Sequence, residues 1–574
     1  MFLRSLVVVL GFLCLAKAQV LVDFQVVQPP PVPLKARQCT VEILQRDFAF
    51  SFGDPEIVQY TPPTDCGPAG SWAAVTLNFT VTSNGTQFDR LGIFTFQNVE
   101  IWRTSTPEPT TNGIIWTYVK DVSRYIPLFA DPGTFILQLD NLIQTGLNGV
   151  YATELHATFF ESSPTIPPAP KADKIIPLST LLNNTGDDAS VPPGFSINVT
   201  IPQNTVKIFA ELYASGNGNE EFWYFNTANE FIPDLPSGTT FGQGPFREVR
   251  LLVDNQVAGV AFPYATIFTG GIVPTAWRPI TSYGALDLPT YFLDLTPFVP
   301  LLVDGQPHTF TIDVASAESD HAINQNWFVS GLLQIVTDPS PKPTVGRITK
   351  YSVDPFAVSS TTGSVGTNGD VNVTVTASRK IEIESEITSG SGETNIVVWS
   401  QSLEYSNTQN YLQNVTIQNV FQTATGQVLS THNGVEAVSD SFSYPLNINL
   451  TLLTPDGSSF DALFDHSYVR NLLPSPLIPK SDINNHQFAT GFFIISSAGN
   501  SGNGTNSNVF SYSDSQGNTF NQEVNAVLNK ITLDTESGSL ARNQKILQPQ
   551  LIPDPSALHG FGAARLPGGR IIHL

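Results

Sequence analysis

Charge, cysteine and methionine are all in short supply. Only 13% of the 574 residues are charged, and 27 Lys and Arg face 49 Asp and Glu, for a formal net charge of −22. A surface so poor in cations has no patch with which to neutralise phosphates, which excludes nucleic acid as a partner. Beyond the first 18 residues no run approaches the roughly 20 apolar residues of a membrane helix. The C-terminal residues 568–574 lack the hydrophobic tail of a lipid-anchor signal, so no membrane anchor is expected. Familiar catalytic signatures are also missing: there is no G-x-S-x-G elbow, H-E-x-x-H helix, phosphate-binding loop or dinucleotide glycine fingerprint.

What is there begins with a leader. Arg4 supplies a charge, Leu6 to Leu15 an apolar stretch, and Ala16-Lys17-Ala18 a small-x-small cleavage pattern, so residues 1–18 read as a secretory signal peptide. Its loss takes away Arg4 and Lys17 and moves the net charge from −22 to −24. A secreted or acidic lumenal location suits a pI near 4.6. Of three cysteines Cys14 leaves with the leader, and the remaining pair, Cys39 and Cys66, is expected to form one disulfide after export. Eight glycosylation sequons, at Asn78, Asn84, Asn183, Asn198, Asn372, Asn414, Asn449 and Asn503, fit the same compartment.

Lys and Glu are scarce while Thr, Val, Ile, Phe, Asn, Gly and Pro abound, which disfavours long helices and favours strands joined by turns. The fold class is therefore all-β. Val75, Leu77, Phe79 and Val81 alternate with Thr76, Asn78 and Thr80, the period of two expected when one face of a strand is buried. Val371, Val373 and Val375, then Ile381 and Ile383, repeat the signal far downstream. Proline clusters at 163–170 and 338–343 mark breaks, since proline removes ladder donors and stiffens linkers. The expected organisation is two jelly-roll β-sandwich domains in tandem, 38–165 and 175–340, then a β-rich domain over 345–540. A tail over 541–574 reads as extended or disordered. A propeller would need a repeat at blade length, and none is present.

The eight histidines are scattered, so His156, His308 and His321 read as surface or satisfied core residues rather than metal ligands. With both mature cysteines oxidised, a thiolate nucleophile is also excluded. Any catalysis is left to Asp or Glu activating water, with nearby donors steadying the oxyanion.

Several segments carry a more specific signal. Gln87 to Ile93 (QFDRLGI), Val99 to Pro109 (VEIWRTSTPEP), Gly113 to Asp121, Glu220 to Asn226 (EEFWYFN), Arg247 to Asp254, Phe268 to Pro279 (FTGGIVPTAWRP) and Asp294 to Phe298 follow one another over about residues 38–340. In order and spacing this series resembles the A-type, acid-acting peptide-N4-(N-acetyl-beta-glucosaminyl)asparagine amidases, the peptide:N-glycanases A. The resemblance implies release of N-glycans from glycopeptides or denatured glycoproteins with conversion of asparagine to aspartate, without metal or organic cofactor. A fainter similarity links the chain to the bacterial F-type enzymes with two jelly-roll domains. Their catalytic aspartate is followed by arginine in a Trp-Asp-Arg context, which Phe88-Asp89-Arg90 matches apart from Phe. Their second acid precedes Trp soon after a Ser-Gly-x-Gly turn. Here Ser215-Gly-Asn-Gly218 precedes Glu220 and Glu221, with Phe222 directly after, which leaves the choice between the two open.

Asp89 is accordingly the leading catalytic candidate, with a structural ion pair or turn as the alternative reading. Burial beside Arg90 would tune its pKa, although adjacent strand residues point to opposite faces, so Arg90 braces as plausibly as it binds. Glu221, with Glu220 as its rival, would orient water at the sugar-linked amide; the alternative is a solvated acidic pair. Trp102, Trp116, Trp223, Trp277 and Trp327 are candidates for stacking on sugar faces, several of them equally readable as core. Trp277-Arg278-Pro279 follows a Gly270-Gly271 turn, which favours a ligand-facing Trp277 and Arg278. Glu108, between two prolines, reads as a cleft-lining or exposed loop acid, and Glu100, Arg103, Glu248 and Arg250 as cleft residues or strand ion pairs. Two other functions fit the same scaffold: a non-catalytic carbohydrate-binding protein and a glycoside hydrolase with paired carboxylates.

Overall fold

The computed structural model describes residues 20–543 apart from 187 and 498, so the leader and residues 544–574 of the tail lie outside the described residues. Strands dominate. The first nine are β1 (Leu21–Asp23), β2 (Gln38–Phe48), β3 (Glu56–Tyr60), β4 (Ala74–Ser83), β5 (Leu91–Phe96), β6 (Val99–Ser105), β7 (Ile114–Asp121), β8 (Gly133–Leu139) and β9 (Tyr151–Phe160). They form two facing sheets, β1-β7-β4-β9-β2 and β3-β8-β5-β6. With β1 set aside, the first, third, sixth and eighth of the remaining strands share one sheet and the other four share the second. That crossover order defines a jelly roll.

The pattern recurs in the next nine: β10 (Lys174–Leu178), β11 (Ala189–Val191), β12 (Phe195–Val199), β13 (Thr205–Gly216), β14 (Glu248–Val253), β15 (Gln256–Ala261), β16 (Tyr291–Asp294), β17 (His308–Ala315) and β18 (Trp327–Thr337). Their sheets run β10-β18-β13-β16 and β12-β17-β14-β15, with β11 also on β18. Here β10 and β11 together fill the place of the first jelly-roll strand. The all-β, two-jelly-roll expectation is met by this strand order.

In β4 the alternation expected from the sequence places Val75, Leu77, Phe79 and Val81 in the core, each at most 1% exposed. Thr76, expected to face out, is buried at 2%. It lies toward the β4 end covered by neighbouring segments, where Val122 N–H donates to Val75 O and Ala73 N–H to Phe160 O. The first sandwich also takes in residues ahead of 38: β1 pairs parallel with β7, and Val32 packs with Ala74 and Phe160, whereas Val26 joins the core of the second sandwich and the C-terminal sheet. Cys39 and Cys66 are joined by a disulfide that ties β2 to the loop before β4.

The remaining described strands make one sheet of 11, from Val345–Val353 through Lys530–Ser537. Its first two strands both pair with Val371–Thr388, and from there each strand pairs with its successor in an antiparallel meander. Three of these strands reach 18 or 19 residues. Their inward face carries Val, Ile and aromatic residues interspersed with amides such as Gln401, Asn407, Gln409, Gln487 and Asn506, all buried. The amides answer irregular backbone of the second sandwich: Gln401 pairs with both N–H and C=O of Val260, and Gln409 donates to Tyr224 O and Asn226 O. Loop backbone that leaves water needs such partners.

Between the two sandwiches Arg103 of β6 is a buried hub. It forms a bidentate pair with Glu100, donates to Ser215 Oγ and Phe328 O of the second sandwich, and is bonded to Asp188. Glu248 and Arg250 are likewise strand ion pairs, with Arg379 and Asp313 respectively. None of these four lines the cavity described next.

Candidate active site

Asp89 lies in the short approach to β5, and hydrogen bonds fix this approach on several sides. Arg90 N–H donates to Thr106 Oγ1 (2.8 Å) and Thr106 N–H to Arg90 O (2.9 Å). The Arg90 guanidinium donates to Gln87 Oε1 (2.7 Å) and Asn141 Oδ1 (3.2 Å). Burial pushes the Tyr151 phenol up, so it stays protonated and donates to Phe88 O at 2.7 Å. The Asp89 carboxylate in turn accepts from Gly270 N–H at 3.2 Å. Gly270 belongs to the second sandwich, so this bond already joins the two domains at the acid.

Glu221 stands just past the end of β13. The chain turns there through Gly216, where a Cβ would lie 2.1 Å from Glu220 O, and Gly218, whose φ is +58°. Only glycine fits the first position and it is strongly favoured at the second. The tight turn separates the fates of two adjacent acids. Glu220 is fully buried and accepts from Arg247 Nε (2.5 Å) and Nη2 (2.7 Å), Trp327 Nε1 (2.7 Å) and Asn324 N–H (3.0 Å). Its oxygens are committed to holding the loop. Glu221 instead lines a cavity of about 50 Å³ together with Asp89.

That cavity lies between the sandwiches. Asp89, Arg90, Leu91 and Ser105 form the side from the first, and Gly216, Asn217, Glu221 and Phe268 the side from the second. The recess has room for water against both acids. A carboxylate on each side of it, with Arg90 alongside, can take a proton from water and steady a developing oxyanion. A larger groove of about 610 Å³, between Pro30–Pro33, residues 166–170 and the C-terminal sheet, lacks this arrangement. Its acids are engaged: Asp121 with Ser123 N–H, Asp287 with Lys120 and Tyr118, Asp514 with Tyr512 and Asn518.

The other residues singled out from the sequence are placed differently. Glu108 and Arg278 are not cleft-lining; they are 2% and 3% exposed and face each other at 3.7 Å behind the 268–271 loop. Arg278 Nη2 also donates to Glu108 O, and a Cβ on Gly270 would lie 2.2 Å from Glu108 Oε1. The bare Cα of Gly270 thus lets the Glu108 carboxylate lie against the loop that binds Asp89. Trp223 and Trp277 are corrected to core residues, at 4% and 1% exposure. Trp277 packs on Phe464 of the C-terminal sheet and donates to Gly271 O, so the glycine turn is capped by the ring instead of presenting it to a ligand. Trp102, Trp116 and Trp327 are buried as well. The half-buried Phe268 stands on the wall of the recess, and Phe88, just before Asp89 in the chain, has the Arg90 guanidinium over its ring.

The C-terminal sheet braces this side of the site. Asn506 Nδ2 donates to Ala276 O and Ile280 O, Gln487 Nε2 donates to Thr281 O, and Tyr283 N–H donates to Gln487 Oε1. Gly504 admits the Thr275 carbonyl, which would lie 2.2 Å from an added Cβ. Of the histidines, His308 is held by Asp254 and Asp304, and His321 stacks on Phe356. Glu42, Glu154 and His156 have ligand atoms close enough to share an ion, but on exposed surface of the first sandwich outside the cavity. The sequon asparagines are exposed or, for Asn78 and Asn372, half-buried.

Residues 28–354 match the family model described as peptide N-acetyl-beta-D-glucosaminyl asparaginase amidase A, and residues 372–446 match that of the PNGase A C-terminal domain. Peptide-N4-(N-acetyl-beta-glucosaminyl)asparagine amidase A of Prunus dulcis is 36% identical over 365 residues. The match covers 61% of this chain and 62% of that protein, less than two thirds of its length. Among solved structures, PNGase F, a glycosylasparaginase from Flavobacterium meningosepticum, has a TM-score of 0.33 at 13% identity, covering 52% of this chain and 96% of that one. A structure of PNGF-II has a TM-score of 0.37 at 12% identity, covering 54% and 66%.

Proposed function

The chain belongs to the peptide N-acetyl-beta-D-glucosaminyl asparaginase amidase A family, and from that premise we propose that it hydrolyses the amide between asparagine and the first sugar of an N-linked glycan. The substrates are N-glycopeptides or denatured N-glycoproteins, whose asparagine can reach a recess set between the two sandwiches. Asp89 takes a proton from water held in the recess, and the water oxygen forms a bond to the side-chain carbonyl carbon. Donors beside Asp89, the Arg90 guanidinium foremost, steady the oxyanion. Glu221 orients the water, and Asp89 returns the proton it took to the leaving nitrogen as the C–N bond breaks. The products are aspartate and a glycosylamine. Phe268, on the wall of the recess, offers a ring face to the apolar C–H patches of the sugar.

One observation carries this reading above the rest: Asp89 and Glu221 come from different sandwiches and line the same cavity, while Glu220 is consumed by Arg247 and Trp327. The leader, the disulfide and the accessible sequons support a secreted protein that carries glycans of its own. The test is incubation with an N-glycopeptide at mildly acidic pH and mass spectrometry of the peptide. Aspartate at the former glycosylation site is expected; a peptide with a shortened sugar stub left on asparagine would identify a glycoside hydrolase, and a glycopeptide left intact would overturn the amidase reading.

A further inference from the structure

Asp23, the last residue of β1, precedes the segment that matches the family model and is 1% exposed. Neither of its carboxyl oxygens has a hydrogen-bond partner among the described residues. The backbone holds it in place from two directions: β1 pairs with β7 so that Asp23 sits opposite Trp116, and Phe24 N–H donates to Pro279 O while Thr281 N–H donates to Phe24 O. The segment on that second side carries Pro279, Ile280 and Thr281, which have no charge. The charged group whose field reaches Asp23 is Arg278, whose Nη1 is likewise buried without a partner.

A line of contacts leads from there to the recess. Phe24, next to Asp23, is bonded to Pro279, next to Arg278; Arg278 faces Glu108 at 3.7 Å, Glu108 lies against the bare Cα of Gly270, and Gly270 N–H donates to Asp89. We propose that Asp23 is a positioning residue for the amidase reaction, setting how much of the Arg278 charge remains for Glu108 and so how the Gly270 loop presents its N–H to Asp89. This inference rests on the amidase reading above. Burial pushes the Asp23 carboxyl up to about 7, with the Arg278 charge pulling it back. In an acidic medium Asp23 is neutral and Arg278 serves Glu108 alone. Once Asp23 ionises, its carboxylate competes for the guanidinium and the contact line slackens.

The test is the pH dependence of kcat for glycopeptide cleavage by the full chain, wild type beside Asp23→Asn and Asp23→Glu. A single ionisation near pH 7 lowers the wild-type rate about ten-fold between pH 6 and 8. Asp23→Asn, neutral throughout, should change by less than about two-fold over that range, and Asp23→Glu should restore the fall. If the Asn variant does not fold, Asp23→Ser takes its place. A purely structural role would shift all pH values alike. A wild type without the fall, or an Asn variant that follows it, overturns the positioning role while leaving the amidase reading intact. An inactive wild type would overturn both.

Discussion

Replacing Glu220 and Glu221 separately, each by Gln, should produce two different kinds of failure in adjacent residues. Glu220 neutralises Arg247, which is 1% exposed, and accepts the Trp327 indole and the Asn324 backbone N–H. Removing its charge leaves a guanidinium buried without a counter-ion, which costs about 3–5 kcal/mol. For a domain of this size each kcal/mol shifts Tm by roughly 2–4 °C, so a fall on the order of 10 °C is expected. Glu221 is 8% exposed and faces the recess. Its loss should lower kcat by about 10²–10⁴, the usual contribution of a positioned acid or base, with a much smaller change in Tm. Differential scanning calorimetry and glycopeptide turnover on the same preparations separate the two. A Glu220→Gln protein that melts like wild type but does not turn over, beside an active Glu221→Gln, would refute the assignment.

Three further outcomes follow from the packing. Arg103→Leu leaves Glu100 and Asp188 buried beside one another without their cation, and should lower the urea unfolding free energy by about 3–5 kcal/mol; an unchanged midpoint would show that the hub is not essential to the joint between sandwiches. Reducing the Cys39–Cys66 disulfide, with a sequence separation of 27, should cost about 3–4 kcal/mol from loop entropy, read as a lower urea midpoint in reductant. Burial raises the Asp294 carboxyl, but hydrogen bonds from His432 and Ser430 outweigh it and hold it below its ordinary value. Its contribution is therefore present above an unfolded pKa of about 4 and lost as pH falls through the lower folded value. The stability gap between wild type and Asp294→Asn should be largest near pH 6 and shrink in stronger acid, measured as urea midpoints across that range; a gap independent of pH would contradict it.

Strand architecture was legible because alternation is a local signal. Val75 to Val81 and Val371 to Val375 announce buried faces in the sequence itself. The joint at Asp89 and Glu221 was legible as a pair of candidates, but the choice between Glu220 and Glu221 was not. That choice depends on a turn through Gly216 and Gly218 and on Arg247, Trp327 and Asn324, which approach from distant parts of the chain. Trp277 misled for a related reason. A glycine-flanked tryptophan looks like a loop residue until a sheet from the third region, with Phe464, covers it. Arg278 and Glu108 are buried against each other beside Gly270, and Phe268, two residues before Gly270, became visible as a site residue only once the two sandwiches met. Asp23 had no sequence signal beyond its own charge, since its role depends on β1 joining β7.

Amide hydrolysis is marked by where the oxygen of the attacking water ends. Wild-type protein and an N-glycopeptide in water enriched in heavy oxygen should give a peptide whose new aspartate side chain carries one heavy atom, with the glycan recovered as its amine. Heavy oxygen found in the sugar, with asparagine still bearing a glycan stub, would contradict it.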